Sequence, residues 1–165
     1  MLFNRIEEEL YKVRRDDETH PLSSFAAYPF ELEGKEWPTV EHYYQATKFS
    51  NPEYAEKIRL AQTPEQAKKL GNTRWKRKRK DWEKIRTTAM TRATYIKCRT
   101  YPDIAKTLTD TGDIKILEVS LYDYFWGCGR DLRGTNAFGE MLMDIRKKWS
   151  CPDRAQRGGT PLQAP

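Results

Sequence analysis

The sequence predicts an α+β fold: a single α-rich domain carrying a small β-sheet. Three observations lead there. Apolar residues at 85, 89, 93 and 96 recur at spacings of four, four and three, the pattern of an amphipathic helix, and several other stretches are bounded by helix caps and stops. Only residues 28–37 and 114–119 have the composition and patterning of strands. The chain has 165 residues, 38% of them hydrophobic, enough for one well-buried core.

The elements follow in order. Residues 4–18 are charged on nearly every face and read as either a short surface helix or a loop, within a charged N-terminal segment spanning 1–21. Residues 28–33 alternate loosely, turn at Gly34-Lys35 and resume at Glu36-Trp37, a short hairpin. Thr39 is the N-cap of a first helix that starts at Val40 and ends near Phe49, ahead of Asn51-Pro52. A second helix runs from about 53 to 61. Thr63-Pro64-Glu65-Gln66 makes a capping box for a third, which Gly71 stops. Residues 81–99 form the long amphipathic helix and 102–109 a short one, before a turn at Gly112-Asp113. Residues 114–119 are the best strand. A glycine-bearing loop, 122–135, leads into a last helix from Asn136 or Ala137 to Trp149. The tail, 150–165, is rich in Pro, Gly, Arg and Gln and is expected to be disordered.

The net charge of +6 and a pI of about 9.2 suit a polyanionic partner, and equally suit a basic surface that binds nothing. Three cysteines (Cys98, Cys128 and Cys151) without a CxxC pair support neither a disulfide framework nor a zinc site. No apolar run reaches membrane-spanning length, and residues 1–17 lack a signal-peptide core. A soluble protein of the reducing cytoplasm, with no membrane partner, is expected.

Three groups of residues could carry chemistry. At about 100° per residue, Glu41, Gln45 and Lys48 fall within roughly 60° on one face of the first helix, opposite Val40, Tyr43 and Ala46. Such a polar face is costly if buried, unless it lines a cleft. Second, Lys68, Lys69, Arg74, Lys76, Arg77, Lys78, Arg79 and Lys80 crowd into thirteen residues with Trp75 among them and Trp82 just beyond. That cluster fits phosphate contact with base stacking, and also a solvated loop. Third, Gly127, Gly129 and Gly134 precede the last helix. They could bring backbone amides to an anion, with Asn136 both capping and offering its amide, or could simply shape the loop. The candidate acids and bases are Glu41, Glu118, Asp123 and His42. His20 precedes a proline, and His42 reads as a satisfied histidine, so Ser–His–Asp catalysis is poorly supported. No triad of metal ligands is recognisable. Carboxylate chemistry at a sugar C1 remains.

Trp37-Pro38-Thr39-Val40-Glu41-His42-Tyr43-Tyr44-Gln45-Ala46-Thr47-Lys48-Phe49 resembles the signature block of the YbiA-like, or NADAR, family. Ser24-Phe25, Pro29-Phe30 and Gly34-Lys35 precede it in the family's order. Gly71, Trp82, Asp123-Tyr124-Phe125-Trp126-Gly127 and the run from Gly134 to Arg146 follow. The resemblance covers roughly 22–149 and implies a YbiA-like α+β fold and a metal-independent N-glycosidase without a cofactor. It makes Glu41 the leading catalytic residue, assisted by Lys48 and Asp123. Around the substrate it implies Ser24, Phe25, Tyr44, Gln45, Trp82, Trp126, Gly127, Gly129, Gly134 and Asn136; the basic cluster separately offers Arg74, Arg77 and Arg79 as nucleic-acid contacts. The implied substrate is ADP-ribose on guanine in nucleic acid, with an ADP-ribosyltransferase as functional counterpart. The alternatives are a ribosylaminopyrimidine phosphate of riboflavin biosynthesis, a non-catalytic module binding ADP-ribose or NAD, and a basic nucleic-acid-binding domain with no pocket. The chain departs from the family in having Ser24 where Asn is usual, Cys128 where some relatives have Asp, and no evident Phe-Tyr strand near the N-terminus. Cys128 has no obvious base beside it and reads as a tolerated small residue rather than a nucleophile.

Overall fold

The computed structural model describes residues 9–150; residues 4–8, the tail from 151 and Cys151 lie outside the described residues. In chain order the elements are β1 (Leu10–Val13), β2 (Phe30–Leu32), β3 (Lys35–Trp37), α1 (Val40–Thr47), α2 (Pro52–Arg59), α3 (Pro64–Gly71), α4 (Trp82–Thr100), α5 (Pro102–Thr109), β4 (Lys115–Glu118) and α6 (Ala137–Trp149). The α-rich α+β architecture is the one expected. Its strands form two separate pairs: β2 with β3 antiparallel, and β1 with β4 parallel.

The β1–β4 pair corrects the reading of residues 4–18. Leu10 to Val13 form a strand, neither helix nor loop, in register from Leu10 opposite Lys115 to Val13 opposite Glu118. Val13 is the one fully buried side chain of the four, so no alternation marks the strand locally. The hairpin also turns one residue early. Glu33 and Gly34 hold the positive φ values, 57° and 73°, that a tight hairpin needs, and Lys35 already belongs to β3.

The helix starts follow their sequence signals. The Thr39, Asn51 and Thr63 side chains accept from the amides of His42, Tyr54 and Gln66, at 3.3, 2.8 and 3.1 Å. The reciprocal arm of the capping box reaches one residue further back, because Gln66 Oε1 accepts from the Gln62 amide at 3.1 Å. Gly71 is the last residue of α3 and packs against α1: a Cβ there would lie 1.9 Å from Gln45 Oε1.

Helix α1 is the centre of the domain, packed against α2, α3, α4 and β3. Val40 to Ala46 are all buried, so the polar face lies inside the molecule along with the apolar one. On the other side α6 lies directly on β4, with Phe138, Leu142, Ile145 and Ile116 fully enclosed, each contributing about 1.5–3 kcal/mol by burial. Among the described residues no helix is long and apolar enough to cross a membrane.

Candidate active site

Glu41 is the second residue of α1, where the helix N-terminus favours negative charge. It is completely buried, and three side chains hold its carboxylate. Arg15 Nη1 donates to Oε2 at 2.7 Å, the Ser24 hydroxyl lies 2.8 Å from the same oxygen, and Gln45 Nε2 donates to Oε1 at 2.6 Å. Gln45 arrives by the i,i+4 spacing of α1. Ser24 is fixed from the preceding loop, its carbonyl accepting from the Glu41 amide at 2.9 Å and its own amide donating to the Arg15 carbonyl at 3.1 Å.

Arg15 follows β1, and its main-chain amide donates to Glu118 Oε1 at 2.9 Å, at the end of β4. The strand pairing therefore sets the guanidinium against Glu41. Burial is the largest influence on Arg15 and opposes its charge; Glu41, Tyr44, Asp123 and Glu118 together outweigh it and hold its pKa above the usual value. Asp123 accepts from the amides of Phe125 and Trp126 through Oδ1, at 3.0 and 2.7 Å. This leaves Oδ2 facing Arg15 Nη2 at 3.9 Å. Arg15 and Asp123 open on a cavity of about 380 Å³, also lined by Arg14, Lys68, Ser120 and Tyr122.

Lys48 shares its face with Glu41 as the helical phase predicts, but it is buried and turned toward other partners. Its ammonium donates to Asn72 Oδ1 at 3.1 Å and lies 5.3 Å from the Tyr44 ring and 5.9 Å from the Trp82 ring. Burial first, then the nearby Lys78, pushes its pKa down to about 8. Tyr44, Trp82 and Trp126 form one buried aromatic wall. Tyr44 sits 5.0 Å from Trp82 and 5.6 Å from Trp126, and its oxygen accepts from Trp126 Nε1 at 3.2 Å. Burial raises the Tyr44 phenol to about 12, so it stays neutral. Phe25 is buried beneath the Lys68 ammonium, 5.5 Å from its ring.

Of the two readings of the glycine loop, anion cradle or shaped loop, the packing favours the second. The amides of Gly134, Asn136, Ala137 and Phe138 donate to the carbonyls of Cys128, Gly127, Phe125 and Trp126, so backbone already occupies them. A Cβ on Gly127 would meet Glu118 Oε2 at 2.2 Å, and one on Gly134 the Gly127 carbonyl at 2.3 Å. Gly129 holds φ 67° against the Tyr124 ring. Close packing of the loop accounts for all three. Asn136 directs its amide into the protein: its Oδ1 accepts from Glu118 N at 2.8 Å and its Nδ2 donates to Ile116 O at 2.9 Å, tying α6 to β4. Its side chain does not cap α6.

The remaining candidates are accounted for structurally. Glu118 is buried and accepts from Arg15 N, Ser120 N and the Ser120 hydroxyl. His42 Nε2 donates to Ala61 O at 3.0 Å, which leaves Nδ1 to accept from the Thr39 hydroxyl at 2.8 Å; burial lowers its pKa and keeps it neutral. His20 bridges Tyr11 and the Leu22 amide. Cys128 is buried. Arg74 and Arg77 are exposed on the loop between α3 and α4 beside Trp75, which is 94% exposed, while Arg79 pairs with Asp81 at 2.6 Å. Among the described residues no cluster of three or more His, Cys, Asp or Glu side chains could hold a metal. Arg15, the closest charged partner of Glu41, is absent from the sequence-based candidates, because it stands in a run of charges that looks like surface. Tyr122 and Lys68 were likewise not legible as cavity residues.

The NADAR domain family matches residues 10–150, from the first residue of β1 to the residue after α6. The chain belongs to the NADAR family of N-glycosidases. The N-glycosidase YbiA of Escherichia coli is 36% identical over 132 residues, covering 80% of this chain and 82% of that protein. The NMR structure of YbiA superposes with a TM-score of 0.79 at 30% identity, covering 95% of this chain and 92% of the other. An N-glycosidase of Nostoc punctiforme is 40% identical over 130 residues, covering 77% of this chain and 83% of that one. The chloroplastic riboflavin biosynthesis protein PYRR of Zea mays is 42% identical over 122 residues; the match takes in 68% of this chain but only 20% of that longer protein. The NADAR match begins at β1, so the strand that delivers Arg15 lies within the family's domain.

Proposed function

We propose that the protein hydrolyses the bond between ribose C1 and a base nitrogen, releasing ADP-ribose from guanine in nucleic acid. The observation that carries this reading is the attachment of the basic loop to the carboxylate-bearing helix. Lys48, at the C-cap of α1, holds the start of that loop through Asn72 Oδ1, and its carbonyl holds the end through the Arg79 amide at 2.8 Å. A polyanion lying on Arg74, Arg77 and Trp75 is thereby brought alongside the helix of Glu41.

In the reaction a water oxygen bonds to C1, the C1–N bond breaks with its electron pair going to the base, and the base nitrogen takes up a proton. Glu41 stabilises the positive charge developing at C1 or accepts the water proton. Gln45 and Ser24 fix its orientation. Asp123 Oδ2 is free to accept from a ribose hydroxyl, and the Lys48 ammonium supplies positive charge for phosphate or for the departing base. An ADP-ribosyltransferase acting on the same bases would make the modification.

The test is release of free ADP-ribose from an ADP-ribosylated oligonucleotide by wild type and Glu41→Gln. Release by wild type and its loss in the variant are expected. Equal rates would remove Glu41 from the chemistry, and no release by wild type would redirect the search to another substrate. The 42% identity to a riboflavin biosynthesis protein favours a second reading, in which the same bond is cleaved in a ribosylaminopyrimidine phosphate. Turnover of that small molecule would be nearly insensitive to salt and to charge reversal at Arg77.

A further inference from the structure

In the glycine loop before α6 the amides of Cys128, Gly134, Asn136, Ala137 and Phe138 are taken by backbone carbonyls, so the counter-charge for a phosphorylated substrate is sought among side chains. The cavity beside Glu41 supplies it. Arg15 is 7% exposed and, among the described residues, its guanidinium makes one hydrogen bond, from Nη1 to Glu41. Nη2 is 3.9 Å from Asp123 Oδ2, an ion pair longer than a hydrogen bond. None of the Arg15 nitrogens is among the buried atoms that lack a partner, so its remaining donors face open space, and the open space it borders is the cavity.

Two further cations line the same wall. Arg14 is neutralised by Asp16 at 3.0 Å. Lys68 has no carboxylate within salt-bridge distance among the described residues, and sits over the Phe25 ring. Lys68 and Arg15 thus present positive charge to one space of about 380 Å³, which admits a sugar phosphate but is small for a whole dinucleotide. Tyr122, on the rim, is 81% exposed and available to whatever extends outside.

We infer that this cavity is a phosphoryl subsite that takes the phosphate of a 5-phosphorylated ribose on Lys68 and Arg15, and that the phosphate competes with Glu41 for Arg15. The inference rests on the N-glycosidase reading for the position of C1 near Glu41. Its consequence is a hand-over. Arg15 turns from Glu41 Oε2 to the entering phosphate, and the lone pair it leaves becomes available to water. Glu41 is thus held by an extra donor until a phosphorylated ligand arrives. Both the monoester of a ribosylamine phosphate and the diphosphate of ADP-ribose have the required chemistry.

The experiment is calorimetric titration of ribose, ribose 5-phosphate and ADP-ribose into wild type, Lys68→Ala, Lys68→Arg and Glu41→Gln, with melting temperatures to verify folding. Ribose 5-phosphate is expected to bind about tenfold or more tightly than ribose, as charge-assisted hydrogen bonds imply. Lys68→Ala removes most of that preference and Lys68→Arg restores it. Glu41→Gln, which relieves the competition for Arg15, raises the preference for ribose 5-phosphate over ribose severalfold. Tighter binding of ADP-ribose than of ribose 5-phosphate in a Lys68-dependent manner assigns the subsite to a diphosphate, and the reverse order to a monoester. Equal affinity for ribose and ribose 5-phosphate, or a preference untouched by Lys68→Ala, overturns the subsite. An unchanged preference in Glu41→Gln overturns the hand-over. Binding is read without turnover, so failure here leaves the ADP-ribose release assay standing, and failure of that assay leaves this one standing.

Discussion

Arg15 Nη1 lies 2.7 Å from Glu41 Oε2, an ion pair that joins the end of β1 to the start of α1 with both side chains enclosed. Neither partner is easily removed alone. Arg15→Met leaves Glu41 buried without its counter-charge and is expected to cost about 3–5 kcal/mol of stability. Adding Glu41→Gln should recover much of that loss, because the carboxylate that needed compensation is gone. Urea denaturation of the two single variants and the double variant measures the coupling. Additive losses would show that the pair is not a unit.

Lys48 and Lys97 are expected to make stability rise with pH while activity, if it uses the Lys48 charge, falls. Burial first lowers the pKa of each to about 8, below the ordinary 10.5. Above pH 8 the folded protein releases protons that the unfolded chain still holds, so the unfolded state binds more protons and stability rises with pH. Cys98, pushed up to about 11 chiefly by burial, works in the other direction from about pH 9. The clear window is therefore pH 8 to 9. Denaturation midpoints should increase across it, less steeply in Lys48→Met. Hydrolysis should decline over the same interval as Lys48 loses its proton, and Lys48→Arg should flatten the decline.

How legible the molecule was depends on whether each signal is local. Thr39 and Thr63 sit within three residues of the amides they cap, and the starts of α1 and α3 could be read from them; Asn51, read only as a break, caps α2 in the same way. The phase of α1 placed Glu41 with Gln45, and the structure bonds them at 2.6 Å. Arg15 was hidden because its position comes from pairing Leu10 with Lys115, across about a hundred residues, which no short-range pattern encodes. Asn136 misled for a related reason. It precedes a helix, as a cap does, but adopts a left-handed conformation and bonds to β4 instead.

Gly71→Ala tests whether the packing of α3 on α1 sets the catalytic geometry. The new methyl would lie 1.9 Å from Gln45 Oε1 and 2.9 Å from its Cβ, so a simple swing of the amide does not relieve the clash. Among the described residues Gln45 Oε1 has no hydrogen-bond partner, and the bond from Nε2 to Glu41 is the one hydrogen bond that its side chain makes. Overpacking is expected to cost about 1–3 kcal/mol. The kcat should fall further than the stability loss accounts for, with KM little changed, once Gln45 leaves Glu41. Steady-state kinetics well below the melting temperature separates the two effects.

The basic loop should matter for a nucleic-acid substrate in proportion to how free each cation is. Arg77 is exposed and among the described residues pairs with no carboxylate, whereas Arg79 is held by Asp81 at 2.6 Å and 3.0 Å. Arg77→Glu is therefore expected to weaken oligonucleotide binding more than Arg79→Glu. It should also reduce the slope of log affinity against log salt by about 0.7 for each single-strand phosphate that is no longer neutralised. Trp75→Ala should weaken binding by about 1–3 kcal/mol without changing that slope, since stacking releases no counterions. Trp75 is 94% exposed, so its loss should leave the melting temperature unchanged. Fluorescence anisotropy with a labelled oligonucleotide across a salt series reads all three. Salt slopes identical for wild type and Arg77→Glu would take the loop out of substrate binding and leave the small-molecule reading as the better one.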